Sequence, residues 1–501
     1  MTIELTGNDL NVAQFSRVVF DREPAALAAA ARAAMERSRA VVDKFAAGDA
    51  VVYGVTTGFG DLAQVKIPTD QLRAVQLNLL RSHASGVGEP LSETESRATL
   101  LLRANVLAKG FSGTRVVIVE RLCQMLDHGV HPVIPSRGSV GASGGLAPLS
   151  HLALVLLGEG EAYVNGVRVS GGDALRRAGI EPVQLEAKEG LSLINGTQPS
   201  LAVGLLALLE AENLVETADV AAGLSLDALR GTPMAFDERI HRLRPFSGQL
   251  RTAANLRRLN EGSEIRQSHI DCPRVQDAYS LRCTPQVHGA VRDALAYVRG
   301  IFETELNAGT DNPLVFAEQD EVVSGGNFHG QPLALALDVL GIALVQLGNI
   351  SERRAERLVN PALSGLPPFL TRQPGVNSGF MMAQVTAAAL ASENKGLAHP
   401  ASVDSIPTSS NEDFVSMSMG AALKTRQIVD NVRTILAVEL LCACQGIDLL
   451  APLKTGHLAA QALAAVRRVV PTLEQDRILA PDIEAVRQLI SQRTFQELLT
   501  S

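Results

Sequence analysis

The 501-residue chain has no Trp, only four Tyr and fourteen Phe, and aromatic residues make up 4% of it. So few large rings exclude a core built on aromatic stacking. The 46% apolar fraction is mostly Ala, Leu and Val, and suggests closely packed helices of small side chains. Cysteine is also scarce. Five residues, at 123, 272, 283, 442 and 444, are too few and too irregularly spaced for a disulfide framework, and buried free thiols are expected. Cys442 and Cys444 have no nearby partners to complete a metal site, so no metal is expected. Basic excess is missing. Lys plus Arg total 45 against 53 Asp plus Glu, a net charge of −8, which disfavours a nucleic-acid or anionic-membrane partner. Long apolar runs are missing too. Gly138 to Gly158 and Gly190 to Leu209 lack charge, but each carries Gly, Ser, Asn, Thr or Pro in its first half. The N-terminal Met-Thr-Ile-Glu-Leu shows no basic segment followed by an apolar one, so no signal peptide is expected. The expectation is a soluble, cytoplasmic protein, in which Asn195-Gly196-Thr197 is no sugar-attachment site.

Helix signals dominate what is present. Pro24 precedes an Ala-rich run that ends at Gly48, and reads as the first residue of a helix. Ser92 and Glu95 form a capping-box pattern for a helix reaching Lys109, with Gly110 as its stop. Apolar spacing predicts helices over 114–126, 200–222, 284–306, 333–359, 380–396, 413–447 and 455–470. The 333–359 helix is almost wholly apolar at its start, which requires burial on most sides in a large bundle or an oligomer. Strand signals are few. Alternation around Asn165-Gly166 predicts one small hairpin over 162–169. No repeated β–α alternation appears, so a doubly wound sheet is excluded. Length alone favours about three domains. The motifs below reduce that to an N-terminal region, 1–200, and a long-helix bundle, 201–501. The expected fold class is mainly α, with a smaller mixed region at the N-terminus.

The least ordinary segment is Arg137-Gly138-Ser139-Val140-Gly141-Ala142-Ser143-Gly144-Gly145-Leu146-Ala147-Pro148. It reads as a Gly-rich loop entering a helix. It lacks the Lys of a P-loop, and Val-Ile-Pro before it is a poor strand for a dinucleotide fold. Ala142-Ser143-Gly144 can also cyclise on its own backbone. The Gly144 nitrogen attacks the Ala142 carbonyl carbon and water leaves, closing a five-membered ring. Loss of the Ser143 hydroxyl as a second water leaves an exocyclic methylidene, a strong electrophile. The bend this needs favours small residues.

That segment resembles the signature of the aromatic amino acid lyase family, whose members make this methylidene-imidazolone group. Other segments resemble the family in the same order. They are Tyr53-Gly54-Val55-Thr56-Thr57-Gly58-Phe59-Gly60, Asn78-Leu79-Leu80-Arg81-Ser82-His83 and Asn195-Gly196-Thr197-Gln198. Then follow Gln276-Asp277-Ala278-Tyr279-Ser280-Leu281-Arg282-Cys283, Asp311-Asn312-Pro313-Leu314, Gly326-Asn327-Phe328-His329-Gly330 and Ser392-Glu393-Asn394-Lys395.

The resemblance implies elimination of ammonia from an aromatic α-amino acid. The prosthetic group from Ala142, Ser143 and Gly144 would capture the poor leaving group, with no external cofactor and no metal. Tyr53 would be the base that removes the weakly acidic β-proton. A phenol titrates near ~10, so this role asks for a lowered pKa. A packed Tyr with a satisfied hydroxyl is the alternative. Arg282 would pair bidentately with the substrate carboxylate, although its spacing alone equally suits a surface Arg. Tyr279 and Gln276 would surround the prosthetic group and the amine. Asn195 would lie beside the ring and substrate, and Phe328 would pack there or in the core. The resemblance further implies a homotetramer of long helices whose active sites combine residues of several copies.

Ser82-His83 is similar to the pair in the family's histidine lyases. An imidazole substrate wants partners for both ring nitrogens, which His83 and Glu412 can supply. A phenyl ring would leave them unpaired. Asn411-Glu412-Asp413-Phe414-Val415-Ser416-Met417 is one residue shorter than the histidine-lyase motif and has Phe where that motif has His. Its charge is histidine-like and its spacing is that of the tyrosine and phenylalanine lyases. The expectation is histidine as substrate and urocanate as product. A tyrosine lyase, an aromatic 2,3-aminomutase and a non-catalytic helical scaffold stay open.

Overall fold

The computed structural model describes residues 2–272, 275–404, 406–409 and 411–500. Among them are twenty-one α-helices and nine strands of three or four residues, so the fold is mainly α. The chain divides into two compact units. The first comprises Met1–Leu206, Gly300–Leu337 and Pro400–Leu423, and the second Ala207–Arg299, Asp338–His399 and Lys424–Ser501.

The core of the first unit is helix Glu93–Ala108. It begins as its sequence requires. Ser92 Oγ accepts from the Glu95 N–H, and the Glu95 carboxylate accepts from the Ser92 N–H at 2.8 Å. From Glu95 to Ala108 every residue is buried, against helices Val12–Val19 and Val116–Asp127 among others. Two of those residues are arginines. Arg97 donates to the carbonyls of Val18 and Leu126, in the last turns of those neighbours, where helix carbonyls lack intrahelical donors. The hairpin is Glu161–Val164 with Val167–Ser170, and Asn165 and Gly166 both take positive φ, as a tight turn requires. Val130–Pro132 adds a third strand.

Two expectations are corrected. Pro24 does not start a helix. Residues Ala25–Leu27 pair in parallel with Ile3–Leu5, and the helix runs Ala29–Ala47. A partner twenty residues away decides that segment against its local propensity. The predicted 413–447 helix begins at Ser418, because residues before it bond the Gly-rich loop and Met417 sits at φ +59°.

The second unit holds helices Ser247–Leu259, His457–Val469, Ala480–Ser491 and Thr494–Thr500, which pack on one another. It also buries a charged cluster. His288 Nδ1 donates to Asp219 at 2.7 Å, Arg292 bridges Asp219 and Glu216, and Arg354 pairs with Glu439. The longest helices are Gln198–Ala228, Gln331–Val359 and Ser418–Leu449. Gln331–Val359 is long and apolar enough to cross a membrane, and 72% of its apolar window is buried inside the protein. Of the cysteines, 123, 442 and 444 are buried thiols, whereas 272 and 283 are only half-buried.

Candidate active site

The Gly-rich loop joins strand Pro135–Arg137 to helix Leu146–Leu156. Gly141 and Gly144 face each other across a tight turn, with Ala142 and Ser143 at its tip. Both glycines have positive φ, +74° and +72°. A Cβ on Gly144 would lie 2.1 Å from the Gly196 carbonyl oxygen, and one on Gly141 would lie 2.1 Å from Ser416 Oγ. The turn is held from three sides. Gly145 N–H donates to Gly196 O at 2.7 Å, Ser139 Oγ donates to Gly144 O at 2.7 Å, and Met417 N–H donates to Val140 O at 2.8 Å. Small residues, a forced bend and a rigid frame are what backbone cyclisation at 142–144 demands, so these residues fit the prosthetic group.

Ala142 and Ser143 line a cavity of about 520 Å³ in the first unit. Tyr53, His83, Asn195, Phe328 and Glu412 line it as well. The Tyr53 hydroxyl accepts from the Gly60 N–H at 3.3 Å. Burial pushes this phenol above its ordinary value. The Gly60 N–H opposes that in part, and the nearby Glu412 and Asp311 add smaller contributions to the rise. The expected lowering is therefore corrected: a phenolate here meets two carboxyl groups and a desolvated wall. Asn195 Nδ2 donates to Asp311 Oδ1 at 3.4 Å and Asn312 O at 3.0 Å, while its Oδ1 is buried with no hydrogen-bond partner. An unsatisfied acceptor on a cavity wall suits a ligand N–H.

The ring of His83 is oriented by its own helix, Leu72–His83. Its Nδ1 lies 2.9 Å from the Leu79 carbonyl, which only accepts. With Nδ1 donating to that carbonyl, as Ser82 Oγ also does at 3.0 Å, Nε2 of the neutral ring is an acceptor. Glu412 is steadied by Thr408, whose Oγ1 donates to its carboxylate at 2.9 Å. Despite the shorter motif, Glu412 reaches the cavity.

A family model described as aromatic amino acid lyase matches residues 10–468. The chain belongs to the aromatic amino acid lyase family. One family member, a histidine ammonia-lyase from Koribacter versatilis, is 60% identical over 97% of each chain. Among solved structures, a histidine ammonia-lyase from Trypanosoma cruzi is 46% identical with a TM-score of 0.92, covering 100% of this chain and 95% of its own. A tyrosine aminomutase from Streptomyces globisporus is 40% identical with a TM-score of 0.94, covering 100% of this chain and 98% of its own.

Three expected site residues of this aromatic amino acid lyase are not brought to the cavity. Gln276, Tyr279 and Arg282 belong to the second unit. Tyr279 is 71% exposed, and the Arg282 guanidinium lies over its ring at 4.7 Å. Gly144 sits just behind the lining, against Gly196. Among the lining residues that were missed are His329 and Phe414. His329 stacks on Phe414 at 6.0 Å, and its Nε2 donates to the Phe414 carbonyl at 3.2 Å. It follows Phe328 directly in a motif already singled out, and position in that motif was the available signal.

Proposed function

We propose that the protein eliminates ammonia from L-histidine to give urocanate, in the cavity lined by Tyr53, Ser143 and Asn195. One observation carries this reading. A single cavity combines a turn built for cyclisation, an unpartnered amide acceptor, a phenol, and an imidazole–carboxylate pair. The 60% identity to a protein named histidine ammonia-lyase supports it. The prosthetic group formed by Ala142, Ser143 and Gly144 would supply the electrophile that makes the amino group a leaving group.

The remaining work falls to side chains. Asn195 Oδ1 accepts a hydrogen bond from the amino group and holds it at Ser143. Tyr53 takes the β-proton on its phenolate oxygen. As that C–H bond breaks, the electron pair forms the Cα–Cβ double bond, the C–N bond breaks, and ammonia leaves. His83 Nε2 and the Glu412 carboxylate pair with the substrate ring nitrogens, and Phe328 and Phe414 pack on its apolar faces. Arg282 and Tyr279 reach the substrate carboxylate and the amine from another copy of the chain in a homotetramer. The purified protein, given L-histidine, L-tyrosine and L-phenylalanine separately, should release urocanate from the first. Its intact mass should fall short of the sequence mass by two waters. Turnover of L-tyrosine with none of L-histidine would overturn the substrate, and an unmodified mass would overturn the prosthetic group. A second reading, tyrosine lyase or aminomutase, draws on the shorter 411–417 motif with Phe414, and the same panel separates the two.

A further inference from the structure

Behind the cavity wall lies an ion pair that no step above uses. Lys188 and Asp311 are both fully buried, with Nζ and Oδ2 2.9 Å apart. Lys188 also donates to Ser192 Oγ at 2.9 Å. Its backbone is left-handed, at φ +70°, an unfavourable setting for a long side chain. A buried charge on a strained backbone persists only where the surroundings over-determine it. The other Asp311 oxygen accepts from the Asn312 N–H at 2.7 Å and from Asn195 Nδ2 at 3.4 Å. Burial pushes the Asp311 carboxyl up, but the charges of Lys188 and Arg103, with the hydrogen bonds from Lys188 and the Asn312 N–H, outweigh it and hold it below its ordinary value.

Asn195 is where this pair meets the cavity. Its amide faces two groups that only accept, the Asp311 carboxylate and the Asn312 carbonyl. Turning the amide over would set its oxygen against both. Nδ2 must therefore point inward, which leaves Oδ1 as the unpartnered acceptor of a cavity-lining residue. Arg103 fixes the backbone of the same residue, donating to the Asn195 carbonyl at 2.9 Å.

We propose that Asp311, held in place by Lys188, is a positioning residue that fixes the Asn195 amide with its oxygen toward the substrate amino group. The inference rests on the lyase reading above, because it needs an amine donor at Oδ1. It makes an unusual prediction about rescue. In Asp311→Asn, Lys188 still demands an acceptor and draws the new amide oxygen to itself. The new NH₂ then opposes the Asn195 NH₂, so that amide turns over against the Asn312 carbonyl or is pushed out of place, and in both cases Oδ1 no longer meets the substrate amine. Adding Lys188→Met frees the new amide to offer its oxygen to Asn195 Nδ2 again.

The test measures kcat/KM for wild type, Asp311→Asn and Lys188→Met/Asp311→Asn, each with and without Asn195→Ala. Asp311→Asn should lose about 100-fold, and the added Lys188→Met should recover at least about tenfold of it. With Asn195→Ala present, Asp311→Asn should change the rate by less than about threefold. Equal losses in both Asn195 backgrounds, or a double variant no better than Asp311→Asn, would overturn the proposal, since a purely structural pair gives those results. If Asp311→Asn does not fold, the double variant, which removes the unpaired Lys188 charge as well, decides. A folded double variant as slow as Asn195→Ala also overturns it. Wild-type turnover of another amino acid would refute histidine as substrate while leaving this cycle intact on that amino acid, because the amino group is common to all. If no amino acid turns over, the same cycle is read on L-histidine affinity by calorimetry.

Discussion

Tyr53 is asked to act as a base in a setting that favours its neutral form. Burial, Glu412 and Asp311 all push its pKa above the ordinary value, so the reactive phenolate becomes populated only as pH rises. The kcat/KM profile should therefore climb through the alkaline range. Glu412→Gln removes one of the two charges that raise the phenol, and should move that climb to lower pH while raising KM for L-histidine. A profile unmoved by Glu412→Gln would break the link between the two residues. Tyr53→Phe should keep the two-water mass loss and cost about 10²–10⁴-fold in kcat, measured by urocanate release. Ser143→Ala should fold normally and lose most activity. The identities of Tyr53, Ser143, Asn195 and Glu412 were legible in motifs. Their environments were not. The direction of the Tyr53 shift and the orientation of the Asn195 amide depend on Asp311, far along the chain, and no local pattern encodes that.

At the scale of elements, the capping box that Ser92 and Glu95 spell out is the one that forms. Ser92→Ala removes one half of the capping box on the helix at the core of the first unit, and should cost about 1 kcal/mol, read as a lowered Tm. Gly144→Ala meets two obstacles, a left-handed φ and a backbone oxygen 2.1 Å from the new methyl group. The loop should fail to adopt the turn, and the intact mass should show no loss of water. The longer helices were readable because 3.6-residue periodicity is a local property, whereas Leu72–His83, Ser247–Leu259 and Ala480–Ser491 were not predicted. The failures at Pro24 and at 413–417 share one cause. Each segment is held by hydrogen bonds to residues distant in sequence, Ile3–Leu5 in one case and the Gly-rich loop in the other.

At the scale of the whole molecule, the second unit carries a buried charge cluster with a defined acid response. Burial raises the Asp219 carboxyl, but Arg292 and donors from His288 and Asn255 more than offset it, to about 2. Burial, aided by Arg354, holds the His288 imidazole below its ordinary value against the pull of Asp219. Below about pH 6.5 the unfolded chain gains a proton that His288 refuses, and below about pH 4 it gains one that Asp219 refuses. Both contributions are complete above those values and are lost on acidification, so Tm should begin to fall below about pH 6.5 through His288 and fall further from about pH 4 to about pH 2 through Asp219. A sharing of active sites between copies has its own test. Tyr53→Phe and Arg282→Ala should each be inactive alone, yet co-expressed chains should regain measurable activity, and no regain would sink the shared site. The sequence by itself determined the family, the longer helices, and the small-residue turn and side chains proposed to carry the reaction, because motifs and periodicity are carried by neighbouring residues. Only the tertiary structure decided that Glu412 reaches the cavity, that the Tyr53 phenol is pushed above its ordinary value, that Gln276, Tyr279 and Arg282 are not among the cavity's lining residues, and that a buried Lys188–Asp311 pair contacts Asn195. Each of these depends on burial and on partners brought together by folding, and desolvation is a property of the folded surroundings rather than of any residue alone.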